Sequence, residues 1–131
     1  LFVGNTNNYP LLLAEAFREM GHTVRLLVNR KELLHRPESK YPAWKGAYPD
    51  WIKDYSDIAE DDLIFKTSAL EPLIQELKAT ADLAILNDTG PALANHLSVP
   101  HICVLTGSDL TFYADYSSIE KRSKSWSSEY R

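Results

Sequence analysis

Short apolar runs alternate with amphipathic segments along the 131-residue chain. Four apolar, partly β-branched runs predict buried strands: Leu1–Val3, Val24–Val28, Leu83–Leu86 and His101–Leu105. Three segments with apolar residues at helical spacing predict helices: Pro10–Met20, Leu70–Lys78 and Pro91–Leu97. A last helix is predicted from about Ser117. This alternation predicts an α/β fold, a Rossmann-like three-layer sandwich with a mainly parallel sheet.

The first predicted helix is the best-defined element. Pro10 suits its first turn and Gly21 its C-terminal end. One apolar face is predicted, made by Leu12, Leu13, Ala16, Phe17 and Met20. With the strands on either side, this helix predicts a compact βαβ unit, with a parallel strand pair and a right-handed crossover.

The segment from residue 31 to residue 65 has a different character. Three prolines alternate with four aromatic residues: Pro37, Pro42 and Pro49 with Tyr41, Trp44, Tyr48 and Trp51. An irregular insertion is therefore predicted within a single domain that spans residues 1–131. The acidic residues from Asp54 to Asp62 predict a solvated turn and the start of a helix. Residues 63–65 predict a short strand or a docking loop.

Composition excludes several classes of protein. Hydrophobic residues make up 44% and charged residues 24% of the chain, as in soluble globular domains. The net charge of −4 does not favour nucleic-acid binding. The single cysteine, Cys103, is predicted to be an inert core thiol, and the four histidines lack the spacing of a metal site. No metal, cofactor or secretory signal is expected, and a cytoplasmic location is favoured. Residue 1 is Leu rather than Met, and Leu1–Val3 resembles the last half of a strand, which predicts a piece of a longer protein.

Polar loops follow each predicted strand, and the carboxyl ends of parallel strands are where such sheets bind ligands. The loops are Gly4–Asn8, Asn29-Arg30, Asn87–Gly90 and Thr106–Asp109. The first loop lacks the phosphate-binding fingerprints G-x-G-x-x-G and Gly-Lys-Ser/Thr. It either offers free N–H groups to an anion or a sugar hydroxyl, or only makes a tight turn. Asp109 is either a sugar contact or base, or a helix N-cap. Asp88 is likewise either a sugar contact or base, or a helix N-cap, and the N-cap is favoured there.

Basic residues concentrate between positions 25 and 53. Seven of them stand against three acidic residues: Arg25, Arg30, Lys31, Arg36, Lys40, Lys45 and Lys53 against Glu32, Glu38 and Asp50. This segment could contact an anionic membrane surface or a sugar-lipid acceptor. The favoured alternative is a solvated loop whose aromatic residues cover the core of the domain.

Three motifs resemble the amino-terminal domain of GT-B glycosyltransferases, and more narrowly the retaining family 4 type. They are Gly4–Asn8 after the first strand, Ala16–Val24 with the pattern A-x-R-E-x-G-H-x-V, and Leu105–Leu110 with its Gly107-Ser108-Asp109 triplet. The resemblance covers nearly the whole chain. Many relatives have a histidine before the glycine of the triplet, where this chain has Thr106.

The resemblance implies one half of a two-domain enzyme. Such a domain binds the acceptor, while a carboxyl-terminal domain binds the nucleotide-sugar donor and carries an E-x7-E motif. No two glutamates of this chain have that spacing. The resemblance thus implies a metal-free transferase that moves a sugar to a glycan or a lipid-linked acceptor. The chain alone would be inactive without its donor-binding domain.

The candidate site residues are Asp109 as a catalytic group, and Gly4, Asn5, Thr106, Gly107, Ser108 and Asp109 as substrate contacts, with Asn87 and Asp88 as further possibilities. The expected partners are the donor domain and the acceptor. Homodimerisation and peripheral contact with the inner face of the cell membrane are further possibilities. The alternatives are a non-catalytic flavodoxin-like binding module and part of an inverting GT-B transferase.

Overall fold

A computed structural model describes residues 1–31, 33–58, 71, 74–75 and 81–106. Five strands form one sheet in which every neighbouring pair is parallel. In chain order they are β1 (Phe2–Val3), β2 (Leu26–Val28), β3 (Ile52–Asp54), β4 (Ala84–Leu86) and β5 (His101–Cys103). Their order across the sheet is β3-β2-β1-β4-β5. This order belongs to doubly wound, Rossmann-like α/β sheets. The predicted α/β class with a parallel sheet is therefore confirmed.

Successive residues of the strands point to opposite faces of the sheet, and both faces are buried. Phe2, Leu26 and Ile85 contribute to one core cluster together with Leu11 and Ala14. Val3, Leu27 and Leu86 contribute to the other core cluster. Its remaining buried members are Tyr55, Ile74, Ala84, Leu93 and Leu97. Burial on both sides explains why these strands appear in the sequence as continuous apolar runs.

The helix α1 (Tyr9–Glu19) matches the predicted bounds within one residue. Its predicted apolar face is wrong except for Phe17, which is half-buried and packs against the core. The buried residues are Pro10, Leu11 and Ala14. Leu12, Leu13 and Met20 are exposed. Residues 11–13 are three consecutive leucines, so periodicity alone could not tell which of them faces the sheet. The connection from β1 selects Leu11, because the Asn5 side chain holds the Leu11 amide.

The strand β3 was not predicted, because residues 52–54 read Ile-Lys-Asp and only Ile52 enters the core. Its three residues pair in register with β2. Asp54 is therefore the last residue of β3, the outermost strand of the described sheet on that side, rather than part of a solvated turn. Before β3 lie three short 3₁₀ turns, Leu33–His35, Pro37–Ser39 and Pro42–Lys45.

Other predictions have mixed outcomes. The segment Gly90–His96 is helical, as expected, but forms a 3₁₀ helix. Cys103 is exposed, so the prediction of a core thiol is wrong; it lies on β5, the last strand of the described sheet. Of the predicted helix 70–78, the described residues Glu71, Ile74 and Gln75 are helical. The predictions for residues 59–65 and for a helix near Ser117 lie outside the described residues.

Candidate functional site

Two glycines allow a close approach between the loops after β1 and β4, where the strand order reverses. Gly4 has φ +85°, and a Cβ atom there would lie 2.0 Å from the Asn87 carbonyl oxygen. A Cβ atom on Gly90 would lie 2.8 Å from the Val3 carbonyl oxygen. This reversal is the position at which open α/β sheets bind ligands. The backbones of the two loops therefore pack against each other at the edge of the sheet, and any ligand has to lie beyond the loops.

Asn87 ties the loops after β1, β4 and β5 together. Its side chain is fully buried. The Oδ1 atom accepts a hydrogen bond from the Thr6 amide at 2.9 Å. The Nδ2 group donates to the Val104 carbonyl at 2.7 Å and to the Thr106 hydroxyl at 3.2 Å. Asn87 and Thr106, two of the predicted site residues, are thus brought together, with Asn87 as a structural link.

Asn5 is also buried, and its side chain organises the turn that precedes α1. Its Oδ1 atom accepts from the Leu11 amide at 3.0 Å. Its Nδ2 group donates to Asn8 Oδ1 and to the His35 carbonyl, both at 2.6 Å. Asn8 adopts a left-handed conformation and donates to the Ser39 hydroxyl at 2.7 Å. The binding role predicted for Gly4 and Asn5 stays a prediction, and both residues have a structural role here.

The backbone N–H groups from residue 6 to residue 11 all have partners, except for Pro10, which has no N–H. The Thr6 amide bonds Asn87, and the Asn7 amide bonds His35 Nδ1 at 3.0 Å. The amides of residues 8, 9 and 11 bond the Asn5 carbonyl, the Thr6 carbonyl and Asn5 Oδ1. Anion binding at a helix N-terminus requires free amides. Of the two interpretations of this loop, the structure favours the tight turn.

The remaining predicted site residues divide into two groups. Asp88 follows β4, is half-buried and has φ +56°. The N-cap position of the next 3₁₀ helix belongs to Thr89, not to Asp88 as the sequence favoured. Gly107, Ser108 and Asp109 lie outside the described residues. The prediction that they contact substrate, and that Asp109 is catalytic, stays a prediction.

A basic cleft of about 420 Å³ opens beyond the carboxyl ends of β2 and β3. We define it by its lining residues, Arg30, Lys31, Arg36, Glu38, Lys45 and Ser56. Four positive charges therefore face one negative charge, in a chain whose net charge is −4. The sequence identified the basic segment, but it did not show which of its residues come together.

Among the described residues, Glu38 is the one carboxylate that lines the cleft, and it is hydrogen-bonded to neighbouring side chains. Glu38 is buried, accepts a hydrogen bond from Arg30 Nε at 3.0 Å and accepts another from the Tyr48 hydroxyl. Burial raises the pKa of Glu38, but the hydrogen bonds from Tyr48, from its own backbone amide and from Arg30 outweigh it and place the pKa below its ordinary value. Burial and the bond to Glu38 raise the pKa of Tyr48. Glu38 is thus ionised and paired with Arg30 at neutral pH.

Asp54 holds two of the lining residues, Arg30 and Ser56, because its carboxylate joins the loops after β2 and β3. Oδ1 accepts from the Arg30 amide at 3.1 Å and from the Ser56 amide at 2.9 Å. Oδ2 accepts from the Ser56 hydroxyl at 2.8 Å. These bonds explain why the last residue of β3 is an aspartate.

The aromatic residues of the insertion pack inward against the core on the α1 side of the sheet. They are Tyr41, Trp44, Tyr48 and Trp51. Tyr41 donates to Glu15 of α1 at 2.8 Å, and Lys40 lies 3.7 Å from the same carboxylate. This packing agrees with the favoured alternative, a loop that covers the core of its own domain. It leaves Lys40 outside the basic cleft.

The part of the chain that the structure describes shows neither a cluster of metal ligands nor a membrane-spanning helix. In this part of the chain, no three or more His, Cys, Asp or Glu residues are grouped as metal ligands. Nor does any helix there have the length and apolarity needed to cross a membrane. Comparison with protein-family models, with curated proteins and with solved structures found no match. Any assignment of function therefore depends on the geometry above.

Proposed function

We propose that this domain is the acceptor-binding half of a GT-B glycosyltransferase of the retaining family 4 type. The complete enzyme would move a sugar from a nucleotide donor to a glycan or lipid-linked acceptor, and this half would be inactive alone. The Rossmann-like strand order is compatible with such a domain. The motif from Ala16 to Val24 contributes the end of α1, the left-handed Gly21 and the buried Val24.

The observation that carries the proposal is the occupied backbone between residues 6 and 11. A domain that binds a nucleotide diphosphate through its first βα turn needs free amides at the helix N-terminus. Here those amides bond Asn87, His35 and the turn itself. Donor binding at this loop is therefore disfavoured, which supports the acceptor side of a two-domain enzyme. A flavodoxin-like module that binds a phosphate at the same loop is disfavoured for the same reason.

A titration followed by amide NMR tests the proposal. The 131-residue chain is titrated separately with neutral oligosaccharides, a nucleotide sugar and flavin mononucleotide. We expect oligosaccharides to shift the resonances of residues 4–8, 87–90 and 106, and the nucleotide ligands to leave them unchanged. Shifts of residues 4–8 caused by a nucleotide, or no response to any saccharide, would contradict the proposal.

Matched variants sharpen the test. Thr106→Val removes a hydroxyl at the candidate site while it keeps the shape of the side chain, and it should weaken saccharide binding about tenfold. Thr23→Val makes the same change in the exposed loop between α1 and β2, at the opposite edge of the sheet. It should leave saccharide binding unchanged. Equal effects of the two variants would count against the site.

A further inference from the structure

We propose that the basic cleft binds the phosphate group of a phosphorylated sugar. The cleft is lined by Arg30, Lys31, Arg36, Glu38, Lys45 and Ser56, none of which belongs to the first βα turn. The identification of the phosphorylated sugar as the acceptor of a transferase rests on the proposed function. The binding of a phosphate group in the cleft is independent of that function.

Arg30 and Glu38 form the fixed wall of the cleft rather than its ligand-binding groups. The Arg30 guanidinium donates to Glu38 through Nε and to the Lys45 carbonyl through Nη2. It also lies 5.1 Å from the centre of the Tyr48 ring. These contacts use the charge of Arg30 to balance Glu38. The three other cations then define the net charge that faces the cleft.

Lys31, Arg36 and Lys45 have no carboxylate partner among the residues that the structure describes. Arg36 is half-buried, and its Nε donates to the Arg30 carbonyl at 2.6 Å. That bond fixes the plane of the guanidinium and leaves the two Nη groups for a ligand. A planar pair of N–H donors matches two phosphate oxygens. The lysine ammonium groups add point charges beside it.

A dianionic phosphate ester fits this arrangement better than a carboxylate, because three cations without a counterion repel one another until the ligand neutralises them. The position suits a sugar. Strands lie about 4.8 Å apart, so the middle of the β2–β3 pair lies about 10 Å along the edge from the middle of the β1–β4 pair. A sugar whose phosphate occupies the basic cleft can therefore extend towards the loops after β1 and β4.

Calorimetric titration with a hexose 1-phosphate, and with the unphosphorylated hexose as reference, measures the binding. We expect the phosphate ester to bind at low salt, to weaken as salt is added and to raise the melting temperature of the chain. Arg36→Ala should weaken binding at least tenfold, and the double variant K31Q/K45Q should do the same. Among the residues that the structure describes, the two lysine side chains make no hydrogen bond or ion pair. The double variant should therefore fold normally even if Arg36→Ala does not.

Lys40→Gln is the matched control, because Lys40 belongs to the same basic segment but contacts Glu15 outside the cleft. It should leave the affinity unchanged. If all these variants lose affinity equally, or if Arg36→Ala and K31Q/K45Q bind as the unaltered chain does, the proposal is wrong. Failure of the hexose phosphate to bind would also refute it, unless the lipid-borne ester described next binds through the same residues.

Vesicles distinguish the two sources of such a phosphate. Phosphatidylcholine vesicles that carry a polyprenyl phosphate present a lipid-borne phosphomonoester, and vesicles with phosphatidylglycerol present only surface charge. Binding to the first that is lost in K31Q/K45Q supports a lipid-borne ester in the cleft. Equal binding to both kinds of vesicle would overturn the proposal in favour of general adsorption to anionic surfaces.

The outcome is separable from that of the proposed function. If the cleft variants lose phosphate binding and no saccharide shifts residues 4–8 and 87–90, the phosphate site is supported and the transferase proposal is refuted. If a saccharide shifts those residues and the cleft variants bind phosphate normally, the transferase proposal is supported and the phosphate site is refuted.

Discussion

Replacement of Gly4 by alanine tests whether the loops after β1 and β4 approach as closely as the structure shows. Gly4 and Gly21 have nearly the same backbone conformation, with φ +85° and +90°. Their surroundings differ. A Cβ atom on Gly4 would lie 2.0 Å from the Asn87 carbonyl oxygen and 2.6 Å from its carbon, while a Cβ atom on Gly21 meets nothing within 4 Å. The pair therefore separates the effect of backbone strain from the effect of steric overlap.

The magnitudes follow from these two terms. An alanine in the left-handed region costs about 1–2 kcal/mol, which both variants lose. Only G4A must also move a backbone carbonyl, which cannot rotate away as a side chain can. Overpacking of this kind costs about 1–3 kcal/mol, occasionally more. We expect G4A to lower the free energy of unfolding by about 2–5 kcal/mol and G21A by about 1–2 kcal/mol. Gly46, with φ −83° and open space around it, sets the reference: G46A should raise stability by about 0.5 kcal/mol.

Urea denaturation followed by circular dichroism gives the three free energies from the midpoints and slopes. Tryptophan fluorescence provides a second probe, because Trp44 and Trp51 are half-buried against the core. A difference between G4A and G21A of less than about 0.5 kcal/mol, which is the range expected for equivalent surface sites, would show that the two loops are not in contact. The close packing of the two loops at the candidate site would then be incorrect.

Three further predictions concern buried polar groups, and urea denaturation measures each. Asn87→Asp keeps the acceptor for the Thr6 amide but removes the donor to the Val104 carbonyl, so it should cost about 2 kcal/mol or more. Tyr48→Phe removes a donor from buried Glu38 and should cost about 1–3 kcal/mol; a loss below about 0.5 kcal/mol would show that the bond is not formed. The lowered pKa of Glu38 means that its stabilising contribution is present above the unfolded-state value of about 4.3 and is lost as the pH falls through the folded-state value. Stability should therefore fall more steeply below about pH 4.3 in the unaltered chain than in Glu38→Gln, and parallel profiles would contradict the assignment.

Local patterns predicted four of the five strands, and they failed where tertiary contacts decide. The strands β1, β2, β4 and β5 could be predicted from apolar runs, although the three residues of β5 are exposed. The ends of α1 could be predicted from Pro10 and Gly21. The strand β3 has a single core residue, so it becomes a strand only through its pairing with β2. The Leu11 amide at the start of α1 donates to the Asn5 side chain six residues earlier, and hydrophobic periodicity alone does not reveal this contact.

The candidate site was predictable in position but not in composition. The loops at the carboxyl ends of strands could be located, because parallel strands end at one edge. Which polar groups remain available there depends on contacts between distant residues: Asn87 bonds a residue 81 positions away, and Asn5 bonds His35. The basic cleft joins residues from Arg30 to Ser56 through prolines that turn the chain back on itself. Charge in the sequence indicated only that the segment is positive.

His35 connects the closed loop after β1 to the segment that forms the basic cleft. Its carbonyl accepts from Asn5 and its Nδ1 atom accepts from the Asn7 amide. Arg36, the next residue, carries the guanidinium that points to a phosphate site in our proposal. The asparagine-rich loop, whose own amides are bonded, therefore holds in place the chain whose cations have no carboxylate partner among the described residues. Because the amides of the first βα turn are already bonded, the turn itself does not provide binding energy for an anion. The cations at the ends of β2 and β3 provide it instead.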